Sequence, residues 1–91
     1  MNVPQITNIE TALRVYYHNS ELGNAEITEL FGKRSSATIL RLKQKVKKVM
    51  CEREVISYGA NRVNTAVAFE VWGINVRDLE KRMKKIKELN L

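Results

Sequence analysis

The chain has 91 residues, 44% of them hydrophobic, one cysteine, one proline and a formal net charge of +6. That is enough for one small core, too apolar for a disordered tail, and without any apolar stretch long enough to span a bilayer. A single cysteine, Cys51, excludes an internal disulfide framework, and lone His18 and Cys51 offer no metal cluster. No glycine-rich phosphate loop is present, so the expectation is a protein that is not an enzyme, with no metal, cofactor, small-molecule substrate or membrane partner. Met1 to Gln5 lacks the basic and apolar regions of a signal peptide, which makes the cytoplasm the expected compartment.

The first helix is predicted to start at Thr7-Asn-Ile-Glu10, a capping box with Thr7 as the cap. Ile6, Ile9, Leu13 and Tyr16 or Tyr17 then give one apolar stripe to about His18. Asn19 to Asn24 is a turn-rich connector. A second helix, capped by Asn24, has Ala25, Ile27 or Thr28, Leu30 and Phe31 facing inward, and Gly32 stops it.

Ser35 or Ser36 is a good cap for a third helix running to about Arg53. Its buried face reads Ile39, Leu42, Val46 and Val49, with Met50 alongside. Its other faces carry Arg41, Lys43, Gln44, Lys45, Lys47 and Lys48. Val55 to Tyr58 is strand-like, Gly59-Ala-Asn61 a turn, and Arg62-Val63 a returning strand, which together predict a small β-hairpin. Thr65 to Gly73 suits a strand by composition and a short helix by Thr65 as cap, Ala68, Phe69 and Trp72 on one face and Gly73 as stop; the helix is preferred. Last comes an amphipathic helix capped by Asn75, with Asp78 in its first turn and Val76, Leu79, Met83, Ile86 and Asn90 at 3-4-3-4 spacing. The predicted organisation is one domain over residues 1–74 and a C-terminal amphipathic helix over 75–91.

Charge is concentrated in one place. Residues 33–53 hold eight Lys or Arg against one Glu, whereas residues 1–32 hold one Arg against four Glu. A short apolar helix, a glycine break, a serine start and a basic helix follow in the order of a helix-turn-helix, whose second helix enters the DNA major groove.

Leu30, Phe31 and Gly32, then Ser35 and Ser36, then Ile39, Arg41 and Leu42 resemble the helix-turn-helix of small bacterial and phage DNA-binding proteins. The interval from Gly32 to Ile39 is slightly longer than that family's tight turn. Asn61 to Trp72 resembles the strand-then-helix of excisionase-like winged helices of phages and mobile elements. The resemblance implies a mainly α fold, a helix-turn-helix with a β-hairpin wing, and a function in binding duplex DNA as a transcriptional regulator or architectural factor.

The family geometry puts the start of the third helix at the base edges, which makes Ser36, Ala37, Leu40, Arg41 and Gln44 the expected readers. Arg41 suits guanine and Gln44 suits adenine. Lys33, Arg34, Lys45, Lys47 and Lys48 are expected on phosphates, and Arg62 of the wing on the minor groove or backbone. Tyr16, Tyr17, Phe31, Phe69 and Trp72 fall on apolar stripes and are expected in the core rather than on a base-stacking platform. Cys51, beside Val49 and Met50, is expected to be an inert, part-buried thiol. Val76, Leu79, Met83 and Ile86 are expected to join two copies into a homodimer, which doubles the phosphate contacts. The reading of a different class is a non-enzymatic adaptor that docks a partner through the C-terminal helix, with the basic helix no more than a solvated face.

Overall fold

Apolar spacing of three and four residues builds this chain. In the computed structural model, which describes residues 3–57, 59 and 61–89, the elements follow as α1 (Ile9–His18), β1 (Glu21–Leu22), α2 (Asn24–Phe31), α3 (Ser36–Glu52), β2 (Val63–Asn64), α4 (Thr65–Val71) and α5 (Val76–Leu89). The architecture is mainly α with one small antiparallel sheet, as the sequence predicts. No helix among the described residues is long and apolar enough to cross a membrane.

Polar side chains cap most of the helices. Ser35 accepts from the Thr38 N–H at 3.2 Å, and Asn75 from the Asp78 N–H at 3.1 Å, both at predicted caps. Three other caps, those of α1, α4 and α2, lie one residue from their predicted places. Asn8, not Thr7, caps α1, accepting from the Thr11 N–H at 2.7 Å, and Asn64, not Thr65, caps α4, accepting from the Val67 N–H at 3.0 Å. Thr7 instead ties the chain before α1 to the end of α2. Its N–H donates to the Leu30 carbonyl at 2.8 Å and its hydroxyl to the Glu29 carbonyl at 3.0 Å. The cap of α2 is Gly23, whose N–H the Glu26 carboxylate accepts at 3.5 Å, which leaves the Asn24 side chain for another partner. Gly32 ends α2 at φ 81°, ψ 176°, a conformation that L side chains rarely adopt.

The sheet has a different strand partner from the predicted hairpin. β2 lies where the returning strand was expected, but it pairs with β1, Leu22 opposite Val63 and Glu21 opposite Asn64. The segment after α3 is occupied in ending that helix. Glu54 takes φ 57° and the Val55 N–H donates back to the Met50 carbonyl at 2.8 Å, so residues 53–55 turn instead of extending. Tyr58, the end of the expected strand, and Ala60, in the expected turn, lie outside the described residues, as does Asn90 of the C-terminal seam.

The core gathers Leu22, Ile27, Leu30, Phe31, Leu42, Val46, Val63, Ala68, Phe69 and Trp72 from every element before α5 except α1, which adds Ala12 and Val15. Phe31 meets Trp72 edge-on with ring centroids 5.2 Å apart, and Tyr16 lies 5.0 Å from Phe69. Ile39 and Leu13 only pack against this core, and Tyr17 is exposed, its hydroxyl bonded to the Glu80 carboxylate. α5 lies against α1 and buries Leu79 in the same core. Val76 and Met83 are half-buried, while Ile86 and Leu89 are exposed. The first half of the predicted dimer seam therefore serves its own domain.

Candidate nucleic-acid interface

An α-helix turns about 100° per residue, so α3 divides into two arcs. Leu42, Val46 and Met50 are buried on one arc, with half-buried Ile39 along its middle and Val49 at its edge. The other carries Ser36, Ala37, Leu40, Arg41, Gln44, Lys45, Lys47 and Lys48, all exposed. Ala37 and Gln44 fall near its middle, Leu40 and Lys47 to one side, Arg41, Lys45 and Lys48 to the other. Glu52 is the first acid on the helix. This half-cylinder thus offers hydrogen-bonding and apolar groups along its centre and cations along its flanks. Groove-reading helices require that arrangement of base-edge and phosphate contacts.

The turn Gly32–Ser35 extends the surface. Lys33 and Arg34 are exposed there, and the Arg34 Nε–H donates to the Phe31 carbonyl at 3.2 Å, which steadies the stem while part of the guanidinium faces out. The back of α3 is fixed. The Trp72 indole N–H donates to the Leu42 carbonyl at 3.2 Å, and Arg53 makes a two-pronged pair with the Glu70 carboxylate of α4 at 2.7 and 3.0 Å. The ordinary pKa of Glu70 is lowered by the hydrogen bond from Arg53 and then by its charge.

Three residues have surroundings that the sequence did not indicate. Arg62, its side chain 48% exposed, is engaged within the domain: its guanidinium pairs with Glu26 at 3.3 Å and donates to the Glu21 carbonyl at 3.5 Å. Its stem lies so close over Gly59 that a Cβ there would come within 2.8 Å of it. It acts as a strut between β1, α2 and the turn before β2. Cys51, expected to be part-buried, is exposed on the outer arc of α3.

Lys43 is the third. Expected on a solvated face, it is only 7% exposed, and its ammonium donates to the Asn24 Oδ1 at 2.9 Å. Burial, and then the neighbouring Lys47 charge, hold its pKa below the ordinary lysine value. It borders a depression beside the interface that is also lined by Asn24, Ser36, Ile39, Leu40 and Asn61. The signal for this burial was in the sequence, because Ile39, Lys43, Val46 and Met50 make their own 4-3-4 stripe. Comparison with protein-family models, with curated proteins and with solved structures finds no match for the chain.

Proposed function

We propose that the protein binds duplex DNA through α3, as a sequence-specific transcriptional regulator or architectural factor of the helix-turn-helix kind. The observation that carries this reading is the exposed arc of α3, free of acids from Ser36 to Cys51 and backed by a buried apolar arc. The element order supports it too. α2, a short turn and α3 are followed by the segment carrying Asn61, which borders α3, and then by β2, in the order that a wing has in the winged members of that class. Ser36, Ala37, Leu40, Arg41 and Gln44 face base edges in this reading, and Lys33, Arg34, Lys45, Lys47 and Lys48 face phosphates.

The test is retention on a non-specific duplex as salt rises. Replacing Lys45 and Lys48 with Ala should weaken binding to every sequence and flatten the logarithmic salt dependence by about two. Equal affinity and slope in the folded variant, or no retention of the wild type at low salt, rejects the reading.

The same proposal takes the protein as a homodimer, joined by the outer half of α5 through Met83 and Ile86, with Leu89 adding to the patch. The adaptor reading draws on that patch as well, since Ile86 is 44% and Leu89 80% exposed. Sedimentation separates them: a wild type that self-associates, and a monomeric Ile86→Asp variant, support the dimer. A monomeric wild type removes it.

A further inference from the structure

We infer that the depression bordered by Lys43 is an oxyanion pocket, and that a phosphodiester of the bound duplex seats in it, with the Lys43 ammonium as the charge that holds it. This rests on the DNA reading above, to which it adds a contact that the exposed lysines do not make.

The inference starts from an uncompensated charge. Lys43 is buried, yet among the described residues no carboxylate lies within ion-pair distance of it. A buried cation is normally paired with an acid or gives way to an apolar residue, because desolvation is expensive. Here the partner is a neutral amide, Asn24 Oδ1 at 2.9 Å, which accepts one N–H of the three an ammonium carries. The charge that acts on Lys43 is that of Lys47, which is positive. Folding thus holds a cation where it is short of a counter-charge.

The surroundings suit an oxyanion. Ser36, Asn24 and Asn61 line the depression and carry hydroxyl or amide groups that can donate to oxygen. Ile39 and Leu40 form its apolar wall, which strengthens a charge–charge contact by lowering the local dielectric. The two acids of α2, the helix that carries Asn24, are engaged elsewhere: Glu26 pairs with Arg62, and Glu29 with Arg14 at 2.9 Å. Position completes the argument. Ser36 and Leu40 belong both to this depression and to the exposed arc of α3, so a duplex lying on that arc carries its backbone past the mouth of the pocket. An arginine would bring a broad, forked head. The lysine ammonium is a compact point charge on a flexible stem and suits a single phosphate oxygen.

Two variants and one resonance test this. Lys43→Met removes the charge but keeps an unbranched apolar stem. Asn24→Asp supplies an internal carboxylate where Oδ1 now sits, in the first turn of α2, where an acid is favourable. Each should lower affinity for all duplex sequences alike, by on the order of fivefold at 0.15 M salt, and flatten the salt dependence by about one. In the wild type, the side-chain 15N signal of Lys43 should shift on adding non-specific duplex, and inorganic phosphate should shift it more weakly. A wild type that binds duplex with the Lys43 signal unmoved, and with both variants at wild-type affinity and slope, overturns the inference and leaves the DNA reading standing. No duplex binding, but a Lys43 shift with inorganic phosphate, rejects the DNA reading and keeps the anion pocket. No response to either ligand rejects both.

Discussion

Trp72 reaches across the core from the end of α4 and donates its indole N–H to the Leu42 carbonyl, 3.2 Å away in the middle of α3. Leu42 itself is fully buried, and Arg41 beside it belongs to the exposed arc. One bond therefore anchors the inner face of the helix whose outer face carries the candidate readers. Trp72→Phe should keep the ring contact with Phe31 and lose the bond, lowering stability by about 1–3 kcal/mol. Leu42→Ala should cost about 2–5 kcal/mol. Urea unfolding checks both, and a loss under about 0.5 kcal/mol in either would mean the anchoring is misjudged.

Arg41 is exposed near the start of α3 and makes no ion pair among the described residues, which leaves its guanidinium open to a base edge. Arg41→Ala should relax base preference at one position, costing roughly 1–3 kcal/mol on the preferred duplex and much less on a random one. Selection from a random pool, repeated with the variant, reads this directly. An unchanged preferred sequence would remove Arg41 from the readers.

Thr65 is buried at the start of α4. Its N–H donates to the Ser20 carbonyl at 3.1 Å, but its hydroxyl has no hydrogen-bond partner among the described residues. Thr65→Val keeps the shape and removes an unsatisfied polar atom, so the variant should be more stable by about 1 kcal/mol. Thermal unfolding decides the sign. A less stable variant would point to a partner for that hydroxyl.

The Arg53–Glu70 pair has a pH signature. Its hydrogen bond, then its charge, lower the folded pKa of Glu70. A depressed carboxyl contributes stability above its unfolded pKa and loses it as pH falls through the folded one. Both side chains are well exposed, so salt screens the effect and the stability change should be small. The titration is easier to see: the Glu70 carboxyl signal should move at lower pH than in Arg53→Gln. The same midpoint in both proteins would contradict the pairing.

How much of this was legible beforehand depends on the range of the interactions. α3 and α5 follow from spacing within single helices, and Ser35 and Asn75 cap them where the sequence places caps. Thr7 and Asn8 are both good caps, and the choice between them is made by Glu29 and Leu30, whose carbonyls engage Thr7. β1 is two residues inside a turn-rich connector, too short to carry a period, and its existence depends on Val63. Lys43 was misplaced because residue type sends a basic side chain to solvent, whereas packing buried this one against Asn24. The exposed candidates on α3, from Ser36 to Lys48, were legible because half a helical turn separates them from the buried stripe.

The pairing of Leu22 with Val63 has a kinetic side. It closes a loop that contains all of α2 and α3, so the two helices can form locally before the clasp does. The entropy of such a closure grows only with the logarithm of loop length, and its weight falls on the rate of folding more than on final stability. A chain whose clasp has opened keeps both helices but releases the turn carrying Asn61 from the side of α3. Hydrogen exchange should therefore report this two-residue ladder as a separate opening unit, faster than the α3 interior, and duplex DNA should slow it if that turn is part of the bound surface.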